Sequence, residues 1–318
     1  MKKDREGLKG DIKTRFVLFG KTLYRQRGLL LLCLPALLII IVFKYGSMYG
    51  ILIAFKNYRA SRGIWGSAWL DPWYKNFQTF FRNPASIPLI WNTVKIGVLT
   101  MIFSFPAPVI FAMLLNELKS PYFKRVVQSV SYIPHFISVI VVVGMLRSFG
   151  AIDGLFNVLR GFFGLPAVNM NDGIRYFYVM FIGSHVWQTF GWSAIIYIAA
   201  LSNVDPVLYD VATIDGANRW QKAWNIAWPT ILPTTTIMLI MNMGGVLNSD
   251  YQKILLMQND TNRSAIDVIS SFVYREGILG ARFEYTTAVN LMLSVVAFLL
   301  VIITNKVVQK INSENSLW

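Results

Sequence analysis

Residues 205–233 read Asp205-Pro206-Val207-Leu208-Tyr209-Asp210-Val211-Ala212-Thr213-Ile214-Asp215-Gly216-Ala217-Asn218-Arg219-Trp220-Gln221-Lys222-Ala223-Trp224-Asn225-Ile226-Ala227-Trp228-Pro229-Thr230-Ile231-Leu232-Pro233. Pro206 has its φ set near the helical value and is suited to open a short helix. Gly216 supplies a turn that a Cβ would obstruct. Pro229 and Pro233 stand near the start of the next apolar run, where missing N–H groups cost least. The stretch predicts two short helices joined by a bend, lying at a membrane surface.

The runs on either side are built for lipid. A spanning helix needs about 20 mostly apolar residues, and six stretches qualify, at about 29–53, 93–115, 125–148, 175–201, 231–249 and 285–308. Lys44 interrupts the first, which is expected to lean outward or to continue as helix above the bilayer. Asn242, Gly244, Gly245 and Asn248 dilute the fifth. Composition agrees: 55% of the 318 residues are hydrophobic and 14% charged, against about 25% charged in a soluble domain. The predicted fold is all-α and integral to the membrane.

Lysine and arginine in short flanks set orientation. Lys2, Lys3, Arg5, Lys9, Lys13, Arg15, Lys21, Arg25 and Arg27 place the N-terminus in the cytoplasm. Lys119, Lys124, Arg125, Arg219, Lys222, Lys306 and Lys310 then fall inside, and an even number of spans returns the C-terminus there. The outer loops carry basic residues too, notably Lys56, Arg59 and Arg62, so the bias is incomplete. The chain divides into a basic segment (1–28), a six-span domain (29–308) whose inner loop is 205–230, and a tail (309–318). Within the first segment Leu8, Ile12, Phe16, Phe19 and Leu23 recur at helical steps, predicting an amphipathic helix on the inner leaflet. The aromatics Trp65, Trp69, Trp73, Tyr74, Phe77, Phe80, Phe81 and Trp91 predict an interfacial belt.

The net charge of +14 sits in these flanks rather than on a base-reading face, which argues against nucleic acid as a partner. Cys33 is the single cysteine, so a disulfide within one copy is excluded and a cysteine metal site is unsupported. Gly20-Lys21-Thr22 resembles the end of a phosphate loop, but Arg15 stands where its first glycine belongs. His135 and His185 lack partners at metal-ligand spacing, and no catalytic constellation is present. The middles of the spans hold no Asp or Glu, unlike the relays of proton-coupled carriers. Polar groups do enter two spans: His185, Gln188 and Trp192 in the fourth, Asn242 and Asn248 in the fifth. These residue types suit a sugar path, through hydrogen bonds and flat rings, and equally suit bonding between helices.

The pattern Asp210-Val211-Ala212, Asp215-Gly216-Ala217, eight residues, then Ile226-Ala227-Trp228-Pro229 resembles the E-A-A-x-x-D-G-A signature of binding-protein-dependent ABC importer permeases. Ala212, Asp215, Gly216, Ala217, Ile226 and Pro229 match it; Asp210 replaces Glu, Val211 the first Ala and Trp228 a Leu. Pro35-Ala36-Leu37, Met48-Tyr49-Gly50, Tyr132-Ile133-Pro134-His135-Phe136 and Asn305-Lys306 are similar to carbohydrate-uptake permeases of the oligosaccharide and polysaccharide branch. The resemblance implies a permease subunit in a bacterial plasma membrane, importing an oligosaccharide without covalent chemistry. Its implied partners are an ABC ATPase dimer, a second permease subunit, identical or (as expected here) a distinct homologue, and an external sugar-binding protein. No cofactor is implied on this chain; ATP and Mg belong to the ATPase, which would seat the 205–230 loop as a coupling helix. In that role Asp210 and Asp215 are expected to make polar contacts or caps, Gly216 to set the bend, and Ala212 and Ala217 to permit close docking. A carrier or channel working without ATP is the alternative from another class.

Overall fold

In a bilayer core the backbone has no water to bond, so apolar runs must close their hydrogen bonds internally as helices. The computed structural model describes residues 25–311. Within them the regular structure is helical, apart from an isolated bridge between Lys56 and Trp69. Most of the basic segment read as an interfacial helix, and residues 312–318 of the tail, lie outside the described residues.

Helix α1 (Arg27–Ile40) passes through a π turn (Ile41–Tyr45) into a 3-10 stretch (Tyr49–Phe55), and Lys44 does not stop it. Next come α2 (Lys75–Arg82), α3 (Ser86–Ser104) and α4 (Pro106–Asn116). They are followed by α5 (Pro121–Tyr132), α6 (Val139–Phe149), α7 (Leu155–Phe162) and the long α8 (Ile174–Ser202). The chain then forms α9 (Pro206–Ile214), α10 (Arg219–Lys222) and α11 (Trp228–Gly245). Beyond lie α12 (Tyr251–Met257), α13 (Ile269–Val273) and α14 (Phe283–Ile311). Among the described residues four helical stretches are long and apolar enough to cross a membrane, Leu30–Phe55, Ser86–Asn116, Arg219–Gly245 and Phe283–Ile311, and two bent pairs bring the number to as many as six.

One bent pair corrects the expectation of a continuous third span at 125–148. The helices α5 and α6, with a 3-10 turn Ile133–Phe136 between them, meet at 95°. The cause is local. Pro134 tightens the turn, Ile137 is extended, and Ser138 restarts the helix by accepting from the Val141 N–H.

Three apolar clusters hold the bundle. Ile96, Val143, Phe177, Phe181, Ile254 and Ile266 join α3, α6, α8 and α12. Val109, Ala112, Ala194, Tyr197, Ala227 and Ile231 join α4, α8 and the start of α11. Phe80, Leu89, Phe272, Tyr285 and Val289 join α2, α3, α13 and α14. Phe80, read above as interfacial, is thus a core residue, whereas Trp65, Trp69, Trp73 and Trp91 stay exposed. Two glycines bring backbones together. A Cβ on Gly97 would lie 1.9 Å from the Val246 oxygen, and one on Gly191 2.1 Å from that of Ser131. Without water to drive association, such close approach is the usual means of packing helices in lipid.

Candidate functional site

The 205–230 segment begins with a strong helix start. The Asp205 carboxylate accepts from the Val207 N–H at 2.9 Å, and Pro206 occupies the first turn. At the other end the Ala217 N–H reaches the Ala212 carbonyl at 2.9 Å and the Gly216 N–H that of Thr213 at 3.1 Å. With Gly216 at φ +77°, this is a Schellman cap. A Cβ at position 216 would meet nothing within 4 Å. The turn expected at Gly216 is therefore present, and glycine is favoured there by the left-handed backbone itself rather than by neighbouring atoms.

The second predicted short helix is also revised. Asn218 and Gln221 form a reciprocal capping box, at 2.9 and 2.7 Å, and α10 runs through a π turn (Ala223–Ala227) directly into α11. The wider π turn contains Ile226 and ends just before Pro229, which has no N–H to give. Lys222 closes the bend by donating to Thr213 Oγ1 at 2.7 Å. The caps are therefore made by Asp205 and Asn218, while Asp210 and Asp215 are exposed. Asp205 was legible as an Asp-Pro helix start.

α9 has two unlike faces. Tyr209 is half-buried, its hydroxyl receiving the Asn116 amide at 3.0 Å, which ties α9 to the end of α4. Val207, Val211 and Ile214, at steps of four and three, are 58%, 49% and 85% exposed. Past the bend, Trp220 and Trp224 are exposed as well.

Inside the bundle, cavities of about 220 and 600 Å³ adjoin and share Ser104, His185 and Asn242. Thr100, Asn248, Ser249 and Asp250 line the smaller, Thr189 and Trp192 the larger. Among the described residues, the buried hydroxyls of Thr100 and Ser249 have no hydrogen-bond partner. Trp192 stacks on His135 with ring centres 4.8 Å apart and planes within 2°. Four of the five sequence candidates, His185, Trp192, Asn242 and Asn248, therefore line one space. Gln188 lines neither cavity. Its amide donates to the Ile137 carbonyl at 3.2 Å, and its oxygen accepts from Lys253 at 3.2 Å. Gln188 thus satisfies the carbonyl freed where α5 and α6 part.

Lys253 escaped the sequence reading, although its place in the apolar helix Lys253-Ile254-Leu255-Leu256-Met257 was the available signal. It is 1% exposed and lies 5.5 Å from the centre of the Phe181 ring. Burial pushes its ammonium down to about 8, with the Asp250 charge acting in the opposite sense. Farther out, Asp267 accepts from Arg275, Ser271 and Gln258. Burial would raise this carboxyl, but those hydrogen bonds and the Arg275 charge hold it below the usual carboxylate range.

Comparison with known proteins places this architecture. Residues 104–313 match the family described as binding-protein-dependent transport system inner membrane component. The chain is 37% identical over 293 residues to protein LplB of Bacillus subtilis strain 168, covering 92% of each chain. It is 36% identical to the polygalacturonan/rhamnogalacturonan transport system permease protein YteP of the same organism, over 92% of this chain and 91% of that one. Among solved structures, a chain of a bacterial alginate ABC transporter, in complex with alginate pentasaccharide-bound periplasmic protein, superposes with a TM-score of 0.81. It is 32% identical, over 92% of this chain and 97% of that chain. The chain belongs to the family of binding-protein-dependent ABC importer inner membrane components, and it is a permease subunit rather than an enzyme.

Proposed function

We propose that this chain is one of two permease subunits of an ABC importer for an oligosaccharide delivered by an external solute-binding protein. It crosses the membrane six times with both termini in the cytoplasm, 1–28 and 309–318 flanking a permease domain at 29–308. The observation that carries the coupling role is α9. A short helix, capped at both ends and tied down by Tyr209, displays the apolar residues Val207, Val211 and Ile214 outward. An exposed apolar stripe on a rigid element is a docking surface for another protein. Asp210, Ala212, Asp215, Gly216, Ala217, Ile226 and Pro229 build the segment, and a separate ATPase, binding ATP and Mg, drives the transport cycle through it.

The adjoining cavities support the cargo class. The unpartnered Thr100 and Ser249 hydroxyls lie beside His185, Asn242 and Asn248, with the Trp192 ring further along. Hydroxyl-rich sugars supply both the hydrogen bonds and the apolar ring faces that such a lining accepts. The relative YteP is named for a polygalacturonan/rhamnogalacturonan transport system, and the alginate transporter is described as importing the acidic polysaccharide alginate.

The test is to reconstitute the complex and measure ATP hydrolysis and uptake with neutral and uronate oligosaccharides plus their binding protein. His185→Ala and Asn242→Ala are expected to impair uptake while leaving assembly intact. Gly216→Pro, which cannot adopt positive φ, is expected to insert but to lose sugar-stimulated hydrolysis. Wild-type stimulation and uptake in Gly216→Pro would sink the coupling role.

A further inference from the structure

Between α6, α7 and the outer half of α8 lies a cavity of about 610 Å³ that shares no residue with the two polar cavities. Its volume is in the roughly 300–1,000 Å³ range of ligand sites. The wall is apolar, with Met145, Phe149, Leu159 and Val179 among its residues. It follows α8 from Arg175 to Trp187, which at the helical rise is about 18 Å. That length is close to one leaflet, half of the ~30 Å hydrocarbon thickness.

Charge is confined to one end. Arg175 sits exposed in the first turn of α8 and has no hydrogen-bond or ion-pair partner among the described residues. Arg160, from α7, is held by the Pro166 carbonyl through Nε and Nη2 at 3.3 and 3.1 Å, with Nη1 left over. The mouth is built rather than loose. Asn157 is 6% exposed and pins α7 to the 166–170 segment, donating to Ala151 and Val168 at 2.8 Å and accepting from the Val168 N–H at 3.1 Å. The Met170 N–H bonds the Gly150 carbonyl at 2.9 Å, and Asn171 the Arg147 carbonyl at 3.0 Å.

An apolar helix from another protein would fill the wall but leave the Arg175 guanidinium and the Arg160 Nη1 unanswered. A leaflet-deep apolar slot with guanidinium groups only at its surface end matches a phospholipid. The acyl chain replaces lipid contact along Met145, Phe149 and Val179, and the phosphate oxygens accept from the planar guanidinium fork. The absence of acidic side chains from the lining favours a headgroup with net negative charge. We infer that this cavity is a specific site for one acyl chain of an anionic phospholipid, with Arg160 and Arg175 holding its phosphate. The inference needs only that α8 spans the membrane, and it is independent of the cargo.

The assembled transporter is exchanged into nanodiscs of equal parts phosphatidylglycerol and phosphatidylethanolamine, re-extracted, and its retained lipid counted by mass spectrometry. Wild type is expected to retain phosphatidylglycerol about ten-fold over phosphatidylethanolamine. Arg160→Gln with Arg175→Gln should bring the two lipids to parity, and Arg175→Lys should keep most of the preference. Gly183→Leu, placed where a Cβ meets nothing within 4 Å, should fill the slot and lower retention of both lipids. Co-purification of partner subunits checks that each variant assembles, and the exposed Arg175→Gln alone serves if the double variant does not. No preference in wild type, or an unchanged preference in the arginine variants, overturns the inference. So does crosslinking of Val179→Cys to a partner subunit, which would put protein in the slot.

Discussion

Gly216 is demanded by its φ of +77° and not by its surroundings. A residue with a Cβ can fit there but must hold a left-handed backbone, at a cost of about 1–2 kcal/mol, less for asparagine. Sugar-stimulated hydrolysis is therefore expected to fall in the order wild type, Gly216→Asn, Gly216→Ala; equal activity in all three would show that the cap geometry is irrelevant to coupling. Asp267 makes a different kind of prediction. Its folded-state value lies below the ordinary 3.8, so its stabilising contribution is complete above that pH and is lost as pH falls through the lower folded value. Proteolysis of the 250–284 loop should accelerate in that acid window in wild type, and Asp267→Asn should flatten the dependence. Asp215, Gly216 and Ala217 were legible because their spacing is local. The partners of Asp267 were less so, since Gln258, Ser271 and Arg275 converge only after the loop has folded.

At the scale of elements, helix contacts are decided by how closely backbones approach. Gly97 brings α3 against the Val246 carbonyl just after α11, and Gly191 brings α8 against the Ser131 carbonyl of α5. A methyl group at either position forces the helices apart, costing about 1–3 kcal/mol as overpacking does. Gly97→Ala and Gly191→Ala should lower the thermal midpoint of the purified transporter, while Gly144→Ala, where a Cβ meets nothing within 4 Å, should leave it unchanged. If all three behave alike, close approach is not what holds these helices. The elements themselves were largely readable, because hydropathy and backbone self-satisfaction act along the chain. The break between α5 and α6 was missed, because the apolar run at 125–148 reads as one span, although Pro134 and Ser138 are local signals for it. What periodicity could not show is that Gln188, 51 positions further on, answers the freed Ile137 carbonyl.

For the molecule as a whole, the described chain is a bundle with one helix standing apart. The most apolar window of Leu30–Phe55 is 0% buried, and only its end, Tyr49–Phe55, packs against α14. Leu32→Ala or Leu34→Ala should therefore alter the stability of the isolated subunit by no more than about 0.5 kcal/mol. Phe177→Ala, in a core residue 2% exposed, should cost about 3–5 kcal/mol. Thermal unfolding in detergent decides this, and a large loss from the α1 variants would mean that the helix belongs to the core.

Membrane residence, helicity and the capped, bent segment at 205–230 were legible in the sequence alone. They depend on transfer of apolar side chains into lipid, on backbone hydrogen bonds closed within each run, and on caps made between near neighbours. Tertiary structure alone decided which polar side chains meet. It grouped His185, Asn242 and Asn248 around unpartnered hydroxyls, withdrew Gln188 to a helix break, and buried Lys253 behind it. The reason is geometric: a polar residue in a span must find a partner or a cavity, and which one it finds depends on the rotation and separation of helices far apart in the chain.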